Sequence, residues 1–569
     1  MDINLHALTR RYETLKNDRN GWEADWAALA ELFLPMRWRQ DTNVDAHKRA
    51  HLNNRLMNST GVLGMRTLAA GMMGGMTSPV RPWFRLRPVD ERGSAGTVGS
   101  ANEWIEEVTS RMSILLHQSN FYNSIHQLYA DLGTFGTGLM VETADENGIY
   151  FNVVPCGEYV LDINKHGEVD CFFRRMYMTA RQIVDKWGWD KAPEAVRLAA
   201  KGDGGTGGSA RFDVIHGVFP RTDFDPSKKI GLEGKSFASV YFMPGGQSYG
   251  RGALLDEGGF NMFPAFAPRW QVTATDVYGR SPAMDVMPDT KMLQVMTASL
   301  RKMQHKIAEP PLIADSSLQQ FGVDVTPDGL NYVNLERVKT PILPIAQPEA
   351  QALNFTMQSL QEVQQTVRDG LYTDLFRQLI DDTRRQITAT EIQARQQEKM
   401  ILIGPVVERL QKELLTPLIR RTYGLMQEWG ALPEPPEDTD VSELDVEFES
   451  VLAQAQKLSS TSSIDQLMAF TMSAAQAAPE ALDNLSWDES VKTYAERIGA
   501  PKNILASDRE VEAKRKQRIQ AQKQAEEQAA AQAQAKTAQT MTQAAKNMGQ
   551  TPAGADGQTL MESLLGGLQ

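Results

Sequence analysis

Along residues 3–34 the apolar positions Leu5, Leu8, Tyr12, Leu15, Trp22, Trp26, Leu29 and Phe33 recur at spacings of three, four and seven. That period predicts one long helix, stopped by Pro35. A second helix is predicted over about residues 52–73. It ends in GMMGGMTSPVRP, whose glycines and prolines read as a loop where backbones pass closely. A third helical run, about 101–131, carries Trp104, Ile105, Val108, Met112, Leu115 and Leu116 on its period.

From residue 136 the period changes. In GTGLMVETADENGIYFNVVPCGEYVLDINKHGEVDCFFRRMYMT, β-branched and aromatic residues alternate with polar ones, and DENG and NKHG supply turns, so a small β-meander is expected. The loop KGDGGTGGSARF precedes further strand-like runs, FDVIHGVFPR, FASVYFM and FPAFAPRWQVT. The first half thus reads as α+β.

The second half is dominated by long helices. One is predicted over 282–308, with the apolar stripe Met292, Val295, Met296, Leu300, Met303 and Ile307, and with Lys291, Arg301, Lys302 and Lys306 mostly off it. Pro310 and Pro311 end it, and residues 309–350 read as short strands around the turn TPDG. A return helix follows over 351–379, with Val363, Val367, Leu371, Leu375 and Leu379 at every fourth position. IDDTRRQ interrupts it with charge, and Thr388 and Glu391 of TATE have capping-box spacing for the next helix. That helix is expected to kink near Pro405 and stop at Gly430. Residues 441–507 read as short strands and helices. From Asp508 an Ala/Gln/Lys/Glu helix of about forty residues has little to bury alone, so it either frays or packs against copies of itself. Residues 548–569 are small and polar enough to suggest disorder.

Composition narrows the function classes. A formal charge of −12 over 569 residues argues against a general nucleic-acid binder, though an acidic surface suits DNA that slides past without sticking. Cys156 and Cys171 are the only cysteines, which excludes a disulfide framework and fits a reducing compartment. The N-terminus alternates charge and lacks a secretory signal, so a soluble, non-exported chain is expected. Residues 61–80 approach the length of a membrane span, but Arg66 and the glycines favour close helix packing over insertion in lipid.

Candidate chemistry is sparse. GTFGTG at 133–138 lacks the glycine order of a dinucleotide fingerprint, no Walker lysine follows a Gly-rich loop, and the eight histidines show no metal spacing. Asp381 and Asp382 could share an ion, but with Arg384 and Arg385 beside them a solvated, salt-bridged loop is the stronger reading. No catalytic residue, metal site or cofactor is predicted, and the chain does not read as an enzyme.

Three segments carry a resemblance: GGMTSPVRPWFRL at 74–86, YGRSPAMDVMPDTKMLQ at 278–294, and TATEIQARQQEKMILIGPVVERLQKELLTPLIRRTYGLM at 388–426. In this order and spacing the sequence resembles the head-to-tail connector, or portal, proteins of short-tailed bacteriophages. The resemblance implies a mixed α+β, predominantly helical portal fold. Residues 1–281 would form N-terminal helices and an α+β wing, 282–308 a stem helix, 309–350 the clip and 351–380 the returning stem helix. Residues 381–387 would form the channel loop, 388–434 wing helices, 435–507 the crown and 508–569 a C-terminal helix and tail, which in some relatives builds a tube. It further implies a homo-oligomeric ring, usually of twelve copies, at one capsid vertex, contacting major capsid and scaffold proteins, the terminase large subunit, tail adaptors and double-stranded DNA in transit, with no membrane. The DNA-channel candidates are Asp381, Asp382, Arg384, Arg385, Lys302 and Lys306. A basic pair in an acidic chain could meet the DNA backbone transiently, or pair with the neighbouring aspartates. Lys302 and Lys306 also sit where a helix dipole favours cations. The competing readings are a helical scaffold that merely oligomerises, and a membrane pore resting on 61–80.

Overall fold

A computed structural model describes residues 4–35, 37, 56–88, 98–146, 148–202, 210–228, 231–245, 252–273, 275–309, 312–314, 342–344, 350–380, 403–435, 444–449, 461–475, 485–488, 490–491, 494 and 508–550. The chain divides into two units, residues 1–460 and 461–569.

Helix α1 (Leu5–Phe33) opens on Asn4, whose side chain accepts hydrogen bonds from the amides of His6 and Ala7. Helix α2 (Thr60–Met76) begins later than the pattern predicts and continues through GMMGGM, which the sequence assigned to a loop. After β1 (Phe84–Pro88), the run expected as one helix is split into α3 (Val98–Gln118) and α4 (Phe121–Phe135). Asn120 makes the break. Its amide donates to the Phe151 carbonyl at 2.7 Å and its carbonyl accepts from the Phe151 N–H at 2.8 Å, so it serves a strand edge instead of continuing the helix.

The expected meander is present but divided between two antiparallel sheets. Strands β2 (Leu139–Asp145) and β3 (Gly148–Val154) pair as a hairpin, joined by the short β9 (Ala265–Phe266) in the order β3-β2-β9. Strands β4 (Tyr159–Ile163), β5 (Val169–Thr179), β6 (Arg211–Pro220), β7 (Phe237–Met243) and β8 (Ala253–Phe260) form a five-stranded sheet in chain order. Between β5 and β6 lie α5 (Ala180–Trp187), opened by a Thr179–Gln182 capping box, and α6 (Glu194–Lys201). Side-chain alternation buries both faces of this sheet. Ile215 and Phe219 join a cluster with Tyr12, against which Leu5, Leu8 and Leu15 of α1 pack, while Phe212 and Val214 pack with Ile183 and Val196 of α5 and α6.

The long helices follow. Ser281 caps α7 (Pro282–Asp285), and α8 (Met287–Ala308) continues from it, close to the predicted 282–308. Strands β10 (Leu312–Ala314) and β11 (Ile342–Pro344) pair antiparallel at the root of the excursion, whose TPDG turn lies outside the described residues. The return is α9 (Ala350–Gly370) and α10 (Thr373–Ile380), two helices where the pattern predicts one. Helix α11 is α-helical over residues 403–410, π-helical over Gln411–Leu415 and α-helical again over Thr416–Glu428. An irregularity thus lies just before Pro417, whose missing N–H cannot complete an ordinary turn; the segment leading to Pro405, where a kink is expected, lies outside the described residues. Gly430, at φ 64°, follows its end as predicted. Strand β12 (Leu444–Phe448) returns to pair with β1. The TATE capping box lies outside the described residues.

In the second unit α12 (Thr461–Ala475) precedes α13 (Asp508–Gln550), the expected Ala/Gln helix. Residues 548–550, expected to be disordered, are its last turn, and 551–569 lie outside the described residues.

The glycines of α2 account for its helical course. A Cβ on Gly61 would lie 3.0 Å from the Phe33 ring, one on Gly64 2.6 Å from Leu371, and one on Gly71 would collide with the Phe376 ring. Bare backbone therefore receives side chains from α1, α10 and the turn before it, and packing outweighs the weak helix propensity of glycine. Arg66 stays exposed on the opposite face. The membrane reading of this segment fails on that packing, and no described helix is long and apolar enough to cross a bilayer.

Two substitutions separate packing from propensity. Gly71→Ala is expected to destabilise the chain by about 1–3 kcal/mol through overpacking against Phe376. Gly74→Ala, whose added Cβ meets nothing within 4 Å, is expected to stabilise it by about 0.5–1 kcal/mol. Denaturant titration of the two variants measures both.

Candidate functional site

The antiparallel hairpin of α8 and α9 inverts the usual distribution of side chains. The buried residues of α8 are Thr290, Leu293 and Thr297, and both threonine hydroxyls donate to their own helix, to Val286 O at 2.9 Å and Leu293 O at 2.8 Å. Threonine satisfied in this way packs as a small apolar residue. Of the expected stripe, Met296, Leu300 and Met303 are half-buried, but Met292 (45%), Val295 (66%) and Ile307 (40%) are exposed. The seam within the chain is occupied by the threonines, and part of the apolar stripe faces outward. On α9, Phe355 is 75% and Met357 42% exposed, while Val367 is fully buried. A 22-residue helix rises about 33 Å, so these apolar groups are spread along a rod.

Polar contacts pin the rod at its upper half. The Gln294 side chain accepts from the amides of Met57 and Asn58 and donates to the Asn58 carbonyl, and Arg301 donates to the Met57 carbonyl at 3.1 Å. Lys291, Lys302 and Lys306 are exposed on α8. Of the six channel candidates the structure therefore describes Lys302 and Lys306, on one exposed helix end. Asp381, Asp382, Arg384 and Arg385 lie outside the described residues.

Helix α11 is held to the rest of the chain by one buried and one partly buried ion pair that the sequence pattern did not indicate. The π-helical turn carries Glu413, whose carboxylate accepts from Arg269 Nη2 at 2.8 Å, Nε at 3.2 Å and the Arg269 backbone N–H at 3.0 Å. Arg269 also donates to Gly167 O at 2.7 Å in the β4–β5 turn. Two turns farther along, Arg421 Nε lies 3.1 Å from Glu142 Oε2 on β2, an ion pair too oblique for an aligned hydrogen bond. Arg421 also donates to Met262 O at 2.9 Å and covers the Phe260 ring. Burial pushes the Glu142 carboxyl up to about 7, although Arg421 pulls it back. On α4, burial likewise raises the Asp131 carboxyl, opposed by the Arg37 guanidinium bound to it. A residue just past α1 thus ties that helix's end to α4.

One cluster has the composition of a catalytic group but not its chemistry. Arg174 Nε donates to His216 Nδ1 at 3.0 Å, which leaves the proton on Nε2, facing Ser239 Oγ at 3.0 Å. The imidazole therefore donates to the hydroxyl and cannot take its proton. Burial, with Arg174 and Lys186 nearby, holds the His216 pKa well below the usual range. Among the described residues no group of three or more His, Cys, Asp or Glu side chains is placed to hold a metal.

The Glu142 carboxyl has a defined pH signature. Its native pKa, raised from 4.5 to about 7, means that the native state keeps a proton the unfolded chain releases. Its contribution to stability is full below pH 4.5 and is lost as pH rises through 7. Glu142→Gln is expected to flatten this part of the stability–pH curve. Arg421→Met is expected to cost about 3–5 kcal/mol at pH 8, where it strands a buried carboxylate, and less at pH 5. Thermal melts across pH 4–8 measure both.

Comparison with known proteins places the chain in a family. The chain is 34% identical over 524 residues to a probable portal protein of Bordetella phage BPP-1, covering 90% of this chain and 91% of that one. It is 33% identical over 515 residues to the portal protein of Salmonella phage epsilon15, covering 90% of each. Residues 5–505 match the bacteriophage head to tail connecting protein family. On that match and those relatives, the chain belongs to the bacteriophage head to tail connecting proteins.

Proposed function

We propose that copies of this chain form a ring around an open axis at one vertex of a phage capsid, the conduit through which double-stranded DNA enters and leaves. The observation that carries this reading is similarity to two phage portal proteins along nine-tenths of the chain. In this reading residues 282–308 and 351–380, carrying α8, α9 and α10, are the stem, 309–350 the clip, 381–387 the channel loop, 1–281 the N-terminal helices and wing with 388–434 as further wing helices, 435–507 the crown, and α13 a C-terminal extension able to associate with its own copies. The role is structural, not enzymatic. The ring contacts major capsid and scaffold proteins during assembly, the terminase large subunit during packaging and tail adaptors afterwards.

The hairpin supports the reading physically. Exposed Met292, Val295 and Phe355 lack burial within one chain, and a heterologous interface that closes on itself supplies it in every copy. A scaffold protein that merely oligomerises would also bury them. The portal reading is favoured over it because the relatives match at nearly full length.

Negative-stain images of the purified protein are expected to show rings with a central hole. Val295→Glu is expected to shift the population from rings to monomers in light scattering while leaving the monomer's melting temperature little changed, because the side chain is already in solvent. Arg384→Ala combined with Arg385→Ala is expected to slow packaging and loosen DNA retention without dissolving the ring. Unchanged packaging and retention would assign the two arginines to pairing with Asp381 and Asp382.

A further inference from the structure

The return from the excursion contains a conflict between sequence and structure. Val363, Val367, Leu371, Leu375 and Leu379 fall at every fourth position with no proline among them, the pattern of one unbroken helix. The structure breaks that helix at a single residue. Tyr372 has φ 54° and is the one non-glycine residue with positive φ among those described. The helical hydrogen bonds on either side survive: Leu371 N–H donates to Val367 O, and Phe376 N–H donates to Tyr372 O. The Tyr372 N–H bonds instead to Asp369 O at 3.0 Å.

The bend leaves a second cost beside the first. Thr373 is 2% exposed and its hydroxyl has no hydrogen-bond partner among the described residues. Other threonines in long helices of this chain, Thr67, Thr290, Thr297, Thr356 and Thr366, donate to the carbonyl four residues earlier. In a continuous helix Thr373 would reach Asp369 O in the same way. Tertiary contacts hold the bend against these costs. Phe376 sits on Gly71, Leu371 sits on Gly64, and the Tyr372 ring lies 6.0 Å from the Trp270 ring. Backbone strain of this kind persists only where surrounding packing over-determines it.

We propose that Tyr372 is a strained hinge: α10 alternates between this bent arrangement and one in which Tyr372 turns right-handed and α9 and α10 join as a single helix. The straight form relieves the left-handed backbone and satisfies the Thr373 hydroxyl, and the bent form keeps Phe376 and Tyr372 packed. Helix α10 ends at Ile380, and the swing displaces that end of the helix. The consequence for a DNA channel rests on the function proposed above, and the hinge itself does not.

Spin labels on Gln358→Cys and Arg377→Cys, both exposed positions, test it by pulsed electron–electron distance measurement on the full chain, diluted with unlabelled copies. The native Cys156 and Cys171 are buried, which directs labelling to the new sites. The labelled residues are 377 − 358 = 19 positions apart, so the straight form separates their backbones by about 29 Å, and the bent form by less. The parent chain is expected to show the shorter distance as the major component and the longer one as the minor. Tyr372→Ala keeps the left-handed cost but loses the Trp270 contact, and is expected to enlarge the longer component. Tyr372→Gly removes a left-handed cost equivalent to about tenfold in the equilibrium and is expected to deplete it. Appearance of the longer distance in the parent chain or the alanine variant supports the hinge. Its absence from both overturns it. The labels report the bend whether or not rings form, so failure of the hinge and failure of the ring are separate results.

Discussion

The close approach of other elements to the bare backbone of α2 organises the first unit. Phe33 from the end of α1, Leu371 from the turn after α9, and Phe376 from α10 all reach this one helix at glycines. On α4 the relation is reversed: Gly133 receives Met65 and Leu68 from α2, whose side chains would lie within 3 Å of any added Cβ. Segments more than three hundred residues apart are thereby fixed against each other with almost no spacing. The strained backbone of Tyr372 follows from that constraint. Leu371 and Phe376 must both seat on α2, and the chain between them meets this demand by turning one residue left-handed.

Charge and apolar surface are distributed against habit. Carboxylates and guanidinia are buried or partly buried where α11 meets the rest of the chain, at Glu413 with Arg269 and at Glu142 with Arg421. Large apolar side chains are left in water on α8 and α9. A buried ion pair is weak support for stability, but removing either partner is costly, so such pairs fix the position of α11 more than they strengthen the fold. The π-helical turn aims Glu413 at Arg269, and that contact in turn holds the β4–β5 turn through Gly167. The α11 region is thus committed within one chain, while the α8–α9 rod leaves large apolar groups exposed.

Sequence alone determined much of the architecture. The long period of α1, the helix of 282–308, the β-rich middle, the Ala/Gln helix of α13 and the stop at Gly430 follow from local rules, because period, proline and glycine act within a few residues of themselves. The family resemblance was likewise legible in short segments spread along the chain. Tertiary structure decided what depended on distant partners. Asn120 broke a helix to bond Phe151, the glycines of α2 remained helical because Phe376 and Leu371 fill the space beside them, and one apparent meander was shared between two sheets. Thr290 and Thr297 occupied the seam within the chain while Met292 and Val295 of the apolar stripe stayed exposed, because a hydroxyl bonded to its own helix no longer needs water. The ion pairs of α11 join residues about 140 and 280 positions apart, and no local period records a contact made at that range.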